Sequence, residues 1–470
     1  MSRKTTPQTI LKGILVLLIV LMIAATAALI GLCLVFPQPG SSDTPTATAP
    51  LPTETTLAPT QETLPEPEHV VATASISAQG DLLMHMPIFD DHVKYNSAVQ
   101  KADGSYDFTC VFEYLAPYTQ GYDYAVANLE TTFGGEDFPY QGNPAFNCPD
   151  SLMDTLVASG FDMLLTANNH CGDTREVGLK RTLEVVREQG VETLGTRLSA
   201  EEPRYSVIDI NGIRVGMVCY TYSSGKKDGK PRLNGGLPFQ EPELVNHFYN
   251  AELDAFYAEI ETVYTDMMDA GAEASILYIH WGDEYYLEEN FRQNEIAQKM
   301  CDLGFDVIAG GHPHVVQPME LLTSTTDPGH KTVCLYSMGN AVSNQRYGNI
   351  SMISTPHTED GVLFTVTFEK YSDGTVYLAK TDILPTWVNM FLNENSKTVY
   401  AILPLEAARE AEWPELFGLS ENTAKAARRS YDRTMAIVGQ GLVECRDHLT
   451  QAKADREAYY YELAYGSPAA

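Results

Sequence analysis

Basic residues are scarce in this chain of 470 amino acids. Lysine and arginine together number 31 against 62 aspartates and glutamates, which gives a formal net charge of −31 at pH 7. An acidic field of this size repels nucleic acid rather than gathering it, so we exclude nucleic-acid binding. The same field opposes a polyanionic substrate unless bound cations reverse the local potential at the site.

Cysteine is also sparse, and its spacing excludes a cysteine-ligated zinc site. The eight cysteines include no Cys-x-x-Cys pair. Cys33 falls in an apolar N-terminal stretch, and the odd number that remains does not form a disulfide framework. Cys110 and Cys148 are the one pair that we consider for a disulfide.

Charged residues are absent from residues 13–36, which are almost wholly apolar. This length suffices for a transmembrane helix, since a span needs about 20 residues. Arg3, Lys4 and Lys12 precede it and no basic residue follows until Lys94, so the positive-inside rule places residues 1–12 in the cytoplasm and the rest outside the cell. A cleaved signal peptide is the alternative, although its apolar core is usually shorter.

Residues 37–68 are rich in proline, threonine and acidic residues and can form no core, so we interpret them as a disordered spacer. Residues 69–385 are predicted to form one globular domain, and residues 386–470 a helical C-terminal appendage. Ser420 is the candidate N-cap of an alanine-rich helix that reaches about Val438.

Short apolar runs alternate with helical patterns across the globular domain. The runs lie at 73–78, 124–127, 163–166, 275–279, 307–309 and 333–336 and have the length and flanks of buried strands. Helical periodicity occupies residues 105–118, 151–159, 176–189, 241–270 and 287–303. The pattern predicts an α/β fold with layered βαβ units, to which antiparallel strands near 362–368 and 376–379 are added.

Each of these runs stops at a carboxylate, an amide or a histidine. Ligands of open α/β sheets bind outside the carboxyl ends of the strands, so the chain gathers distant residues at one edge. The side chains offered there suit transition-metal ions, and two such ions can clamp both oxygens of a phosphoryl transfer. Singly, each residue also has an ordinary structural role as a cap, a turn or a hydrogen-bonding histidine. Two imidazoles at i and i+2 in Gly311-His312-Pro313-His314 favour a joint function.

His170 follows the amide of Asn169 in the segment Asn168-Asn169-His170-Cys171-Gly172-Asp173. An imidazole suits acid–base work at neutral pH, so His170 is a candidate donor of a proton to a leaving alkoxide. Structural capping of a helix is the alternative for this segment. His85 lies four residues beyond Asp81, either at the edge of the site or on the ordinary surface.

The strand ends and the segments after them form an ordered series of seven motifs. The motifs are Gly80-Asp81, Asn128-Leu129-Glu130-Thr131, Asn168-Asn169-His170-Cys171-Gly172-Asp173, His280-Trp281-Gly282-Asp283-Glu284, Gly310-Gly311-His312-Pro313-His314, Tyr336-Ser337-Met338-Gly339-Asn340 and Ser343-Asn344-Gln345-Arg346. Together they resemble the motifs of the bacterial CapA family of capsule or poly-γ-glutamate synthesis proteins over about residues 70–385. More remotely they resemble the calcineurin-like metallophosphoesterases.

The resemblance implies a four-layer α/β/β/α sandwich, behind an N-terminal transmembrane helix, with two divalent ions of manganese, iron or zinc at the strand ends. Asp81 and His314 would bind one ion and Glu130 would bridge both. Asn169, His280 and His312 would bind the second ion, and His170 would be the acid near the substrate. The residues left for substrate binding are Asn128, Asn168, Glu284, Asn340 and Arg346. Arg346 could hold a phosphate or carboxylate bidentately, and a surface ion pair is its alternative role.

Two departures from the wider superfamily affect the first ion. Leu83 stands where that superfamily has its first histidine, and Glu130 replaces the bridging aspartate. The first metal position is therefore expected to be weaker or empty.

Two functional hypotheses follow. The first is a membrane-anchored extracellular hydrolase that acts on a phosphate ester or on an amide of a cell-surface polymer such as γ-linked polyglutamate. The second is a non-catalytic accessory protein, which binds polymer or the membrane subunits of poly-γ-glutamate synthesis during assembly or export.

Overall fold

The computed structural model describes residues 66–348 and 350–466. The predicted cytoplasmic N-terminus, the span at 13–36 and nearly all of the spacer lie outside the described residues. Within them, no helix is both long enough and apolar enough to cross a membrane. The cysteines of this part of the chain are free thiols, so Cys110 and Cys148 are not joined.

The strands in chain order are β1 Val70–Leu82, β2 Tyr124–Asn128, β3 Met163–Leu165, β4 Glu192–Leu194, β5 Tyr205–Ile210, β6 Ile213–Tyr222, β7 Gly225–Lys227, β8 Lys230–Arg232, β9 His247–Phe248, β10 Ala274–His280, β11 Val307–Gly311, β12 Met319–Thr323, β13 Lys331–Leu335, β14 Asn340–Val342, β15 Asp360–Tyr371, β16 Val376–Leu392 and β17 Thr398–Pro404. The α-helices are α1 Met86–Phe89, α2 Thr109–Phe112, α3 Ala116–Thr119, α4 Leu152–Ala158, α5 Arg175–Glu188, α6 Leu253–Asp269, α7 Phe291–Leu303, α8 Trp413–Leu416 and α9 Glu421–Tyr465. Short 3-10 turns occupy Pro242–Leu244, Pro356–Glu359 and Ala407–Glu412.

The strands form two large sheets and one small hairpin. The first sheet has the order β17-β16-β15-β1-β2-β3-β4, with β14 also paired to β1, and the second has the order β12-β13-β11-β10-β6-β5, with β9 beside β6. Strands β1 to β4 are parallel to one another, as are β6, β10, β11 and β13. Strands β7 and β8 pair only with each other.

Alternate residues of the central strands face two different cores. Val126 and Ile276 belong to a core shared by both sheets, whereas Ala125 packs with the helices around Val111 and Leu277 packs with α6 and α7. Both faces of these strands are therefore buried, which explains their continuous apolar runs. The prediction of a mixed α/β fold built on more than one sheet is confirmed.

Most of the predicted helices are present, with two differences. The segment 105–118 was predicted as one helix, but it forms the short helices α2 and α3, and Pro117 stands in the first turn of α3. Proline lacks a backbone N–H and therefore favours a new helix start over continuation of the old one. The segment 241–270 begins as irregular chain, and its helix starts only at Leu253.

The C-terminal segment is more deeply integrated than an appendage. We expected helical structure from residue 386, yet β16 continues to Leu392 and β17 adds a further strand, so the first helical turn begins at Ala407. Ser420 caps α9 as predicted, and its side chain accepts a hydrogen bond from the backbone N of Thr423. Val438 and Leu442 of α9 join the core that both sheets share, so this helix closes the sandwich.

Two glycines of α9 give a matched test of how closely this helix approaches the sheet. A Cβ atom at Gly441 would lie 1.7 Å from the backbone oxygen of Met319 in β12, whereas at Gly439 its nearest neighbour would be the Met435 methyl carbon at 3.7 Å. We expect Gly441→Ala to lower the free energy of unfolding by about 1–3 kcal/mol, because the helix must move away from the strand. Gly439→Ala should raise it by up to about 1 kcal/mol through helix propensity.

Denaturant unfolding of a fragment that covers residues 66–470 would measure both changes. Equal effects of the two substitutions would contradict the close packing of α9 on β12.

Candidate metal centre

The carboxyl ends of parallel strands from both sheets meet at one edge of the sandwich. Asp81 at the end of β1 is in register with Asn128 of β2 and with Asn340 of β14. His280 at the end of β10 is in register with Gly311 of β11. A Cβ atom at Gly311 would lie 2.9 Å from an Asp81 carboxylate oxygen, so glycine allows the two strand ends to approach closely.

Three groups of side chains at this edge each bring potential metal-binding atoms within 4.8 Å of one another. The groups are Glu130, His280 and His312; Asp81, Glu130 and His314; and Glu284, His312 and His314. Glu130 belongs to two of them, and so do His312 and His314. The structure therefore brings together all five of the charged or imidazole ligands that the resemblance implies.

Asn169, the amide that the resemblance assigns to the second ion, lies beside this cluster as well. The Nε2 atom of His280 lies 2.7 Å from Oδ1 of Asn169 and 3.4 Å from Oε1 of Glu130. Three ligand types, an imidazole, an amide oxygen and a carboxylate, therefore face a common point.

Hydrogen bonds fix the orientation of the other carboxylate. Asn128 Nδ2 donates to Oδ1 of Asp81 over 2.7 Å, and the backbone N of His312 donates to Oδ2 over 3.2 Å. The same Oδ2 atom lies 3.2 Å from Nδ1 of His314, which is also 3.1 Å from Oδ1 of Asn340. Partners of this kind hold a metal ligand in one orientation.

The backbone of the Gly-His-Pro-His turn is strained. His312 has φ of +96° and His314 has φ of +58°, in the region that favours glycine. Such residues cost on the order of 1–3 kcal/mol each and persist where the surrounding structure requires them. This backbone conformation brings the imidazoles of His312 and His314, two residues apart in sequence, to one centre.

The protonation states of the buried groups suit a metal ion. Burial lowers the pKa of His280 to about 3 and that of His312 well below its ordinary value, so both imidazoles are neutral at neutral pH. Burial opposes ionisation of Asp81, but its hydrogen bond with His314 and the nearby His280 outweigh this cost, and the pKa of the carboxyl is lowered. Metal ions require neutral imidazole and ionised carboxylate.

Glu130 is the most unusual of these groups. It is fully buried, and neither of its carboxylate oxygens has a hydrogen-bond partner. Burial, followed by the repulsion of Asp81, raises its pKa well above the ordinary value. The Nδ1 atom of His312 is likewise buried without a partner. Polar groups in this condition are costly unless a ligand satisfies them, so the residues fit a bound cation.

His170 stands beside these residues with one ring nitrogen fixed. Its Nδ1 atom lies 2.7 Å from Oδ2 of Asp173 and 3.3 Å from Nδ2 of Asn234, and its ring packs edge-on against Phe146 with centroids 4.7 Å apart. Asp173 is held in turn by the backbone N of Phe146 over 2.6 Å. The arrangement leaves Nε2 of His170 available for proton transfer.

The residues that we assigned to substrate binding have diverse positions. Asn128 and Asn340 are buried and bond to Asp81 and His314, and Asn168 donates to Asn128 and to the backbone oxygen of Leu129. These three asparagines therefore hold other residues of the site in place. Glu284 is exposed and lies within ligand distance of His312 and His314.

Arg346 is not part of the cluster. Its guanidinium donates to Oε2 of Glu359 and to the backbone oxygen of Val388, each over 2.8 Å. This partly buried ion pair corresponds to the alternative role stated for Arg346, except that it lies beneath the surface.

His85 is neither a ligand nor an exposed residue. Its ring is buried against Phe146, with centroids 5.0 Å apart, and burial lowers the pKa of His85 to about 3. Leu83, at the position of the superfamily's first histidine, is buried as well.

Sequence reasoning left Asp173 without a role and did not consider Glu284 as a ligand. Asp173 lies three residues after His170 in the same motif, so the spacing could have identified its carboxylate as the group that orients the imidazole. Glu284 also lies in one of the motifs and was assigned to substrate binding, but its spacing does not indicate that its carboxylate reaches His312 and His314.

Comparison with known proteins places the chain among capsule synthesis proteins. Residues 75–345, more than half of the chain, match the family model described as bacterial capsule synthesis protein PGA_cap. The chain is 26% identical over 315 residues to the PGA biosynthesis protein CapA of Bacillus subtilis strain 168, which covers 66% of this chain and 71% of that protein. It is also 26% identical over 294 residues to the capsule biosynthesis protein CapA of Bacillus anthracis, which covers 61% of this chain and 63% of that protein.

Proposed function

This chain belongs to the bacterial capsule synthesis protein family PGA_cap, and on that premise we propose that it is a metal-dependent hydrolase of capsule or poly-γ-glutamate synthesis. Family membership confirms the resemblance to CapA that its motifs carried. The hydrolytic activity and the metal site are the proposal. Its substrate would be a phosphate ester or a γ-linked amide of a cell-surface polymer, and its architecture would be that of the calcineurin-like metallophosphoesterases.

The observation that carries the proposal is that Glu130 is shared by two ligand groups. One group adds His280 and His312, and the other adds Asp81 and His314. A buried carboxylate with two unpartnered oxygens between two sets of ligands is suited to bridging a pair of cations. Imidazole and carboxylate donors together suit manganese, iron or zinc.

Two divalent ions bound there would supply an activated water and neutralise charge on the oxygens of the substrate. The chain's own residues carry the rest of the reaction. Asn128 and Asn340 hold Asp81 and His314 in the orientation required for binding. Asp173 accepts a hydrogen bond from the Nδ1–H of His170 and stabilises the ring when both of its nitrogens carry protons. In that form Nε2 donates its proton to the leaving oxygen or nitrogen, and the neutral ring remains with its proton on Nδ1.

An accessory role without catalysis is the second candidate. It is favoured by Leu83, which provides a buried aliphatic side chain where the wider superfamily has a histidine. Glu284 offsets this loss, since it presents a carboxylate to the same two imidazoles, His312 and His314. The balance of ligands therefore favours the hydrolase.

Two measurements test the proposal. The protein would be purified without chelator and its bound metals counted, and it would then be assayed with an aryl phosphate and with a γ-glutamyl amide in the presence of added manganese. We expect close to two ions per chain and turnover of one of the two substrates. Bound metal without turnover of either substrate would favour the accessory role, and absence of metal under all conditions would refute the centre.

We further propose that residues 13–36 anchor the chain in the cell membrane and that residues 37–68 hold the globular domain outside the cell. The proposal rests on the apolar sequence and on the basic residues that precede it. A membrane-impermeant lysine reagent applied to intact cells should label the globular domain. Protection of the domain in intact cells, with labelling only after lysis, would refute this orientation.

A further inference from the structure

The small hairpin of β7 and β8 is a basic segment in an acidic protein. Residues 225–232 contain four basic residues and one acidic residue, whereas the whole chain has twice as many acidic as basic residues. The basic residues are Lys226, Lys227, Lys230 and Arg232. Exposed charges farther apart than a Debye length of about 8 Å are largely screened at physiological ionic strength. The potential beside the hairpin is therefore set mainly by its own residues, not by the net charge of the chain.

This hairpin lies next to the proposed acid. Asn234, two residues after β8, has its Nδ2 atom 3.3 Å from Nδ1 of His170 and donates to the backbone oxygen of Pro144. Between the hairpin and the start of α5 lies a cleft of about 440 Å³. Gly172 lines this cleft and is two residues from His170, so the cleft opens beside the acid–base pair.

Two of the cations in this cleft have no partner. Arg175 and Lys227 both line it, and neither forms an ion pair or a side-chain hydrogen bond within the described residues. The neighbouring cations are engaged, because Lys226 pairs with Glu252 and Lys230 donates to Gln240.

The acidic residues of the cleft do not cancel these charges. The Oε1 atom of Glu176 accepts hydrogen bonds from the backbone N atoms of Gln240 and Glu241. Asp228, at the tip of the hairpin, is the other acidic residue of the lining. These two cations without partners therefore face one carboxyl group that already accepts backbone hydrogen bonds and one at the exposed tip of the hairpin.

Arg175 has a backbone conformation that is unfavourable for a long side chain. Its φ is +61°, a conformation that favours glycine or asparagine over a long side chain. The guanidinium therefore occupies this position at a conformational cost, in the same cleft as a lysine from another element.

We propose that the cleft formed by the 225–232 hairpin and Arg175 binds a linear polyanion that carries one carboxylate per repeat, and that it leads this polymer toward His170. The cations stand on separate elements, a strand and a helix start, and each can take one carboxylate of an extended chain. The placement of the polymer beside His170 rests on the proposed function, whereas binding in the cleft does not.

Binding of fluorescently labelled poly-γ-glutamate, followed by anisotropy at low and high ionic strength, tests the proposal. We expect Lys227→Glu to weaken binding on the order of tenfold or more and to reduce its salt dependence, because it reverses one contact charge. Arg175→Gln should weaken it less, since it only removes a charge.

Lys380→Glu is the matched control. Lys380 is exposed on β16 and is in register with Thr367, which is opposite Ser75 in the middle of β1, so it lies away from the strand ends that carry Asp81 and the cleft. This variant changes the net charge by the same amount and should bind as the wild type does. Thermal unfolding of each variant establishes that the fold is retained.

Three results would overturn the proposal: no binding of poly-γ-glutamate by the wild type, equal binding by Lys227→Glu, or stronger binding of poly(glycerol phosphate) than of poly-γ-glutamate. Hydrolysis of an aryl phosphate by the wild type is scored separately. Binding without hydrolysis would remove the hydrolase and keep the cleft, and hydrolysis without binding would remove the cleft and keep the hydrolase.

Discussion

Replacing His170 with alanine should leave the metal content of the protein unchanged and lower its turnover by about 10²–10⁴-fold, the usual contribution of a general acid or base. His170 belongs to none of the three groups of potential ligands, whereas its neighbour Asn169 reaches Nε2 of His280 at 2.7 Å. The side chains of these adjacent residues therefore have different partners. Metal counting and steady-state kinetics on the same preparation would measure both effects.

Asp173→Asn tests the same proton transfer with a smaller expected effect. The amide oxygen could still accept from Nδ1 of His170 and from the backbone N of Phe146, but the side chain would carry no negative charge. The doubly protonated form of the imidazole would therefore lose its charged partner. We expect a smaller loss of turnover than for His170→Ala, together with an altered pH profile and unchanged metal content. Loss of metal in His170→Ala would instead make His170 a ligand and leave the proton donor unidentified.

The second large effect is expected at Glu130. Glu130→Gln should remove most of the bound metal from both positions, because one substitution takes a negative charge from two ligand groups at once. His280→Ala should affect one position only, since His280 belongs to a single group. Glu284→Gln should weaken binding least, because its carboxylate is exposed and also serves a single group. Metal titration of the four proteins would rank these effects.

Stability gives an independent measure of the same site. In chelator we expect Glu130→Gln to unfold at the same temperature as the wild type or at a higher one, because the neutral amide removes the repulsion between two buried acids, Glu130 and Asp81. With metal at about 100 times its dissociation constant the wild type should gain about 2.7 kcal/mol per site, and the variant should gain little. The order of the two proteins therefore reverses with metal. Equal metal stoichiometry in Glu130→Gln and wild type would exclude the bridging role.

The strands that build the site could be predicted because both of their faces are buried. Runs such as Ser275-Ile276-Leu277-Tyr278-Ile279 are apolar without alternation, and a polar residue at the end of such a run marks the carboxyl edge of the sheet. Asp81 and His280 were found in this way, and their meeting follows from parallel pairing within each sheet and from the packing of one sheet on the other.

What the sequence could not provide are contacts between segments with no local pattern. The guanidinium of Arg346 is taken by Glu359, a partner that spacing does not reveal among the 62 acidic residues of the chain. Likewise, nothing in the residues after Pro385 shows that β16 continues through it. Pro385 faces Val362 in an antiparallel pair, and only the position of β15 beside it explains why the strand is not interrupted.

The candidate centre spans the seam between the two sheets. Each group that contains Glu130 takes its carboxylates from the sheet of β1 and β2 and its imidazoles from the sheet of β10 and β11. Coordinated cations would thus act as cross-links between distant parts of the chain, as between Asp81 and His314, which belong to one group of potential ligands. A link of this kind restrains a very long loop and so would hold the sheets together at the edge that carries the candidate centre. Loss of the ions would loosen that edge while leaving the apolar layers beneath it packed. The rigidity of the edge would therefore depend on the concentration of metal ions outside the protein.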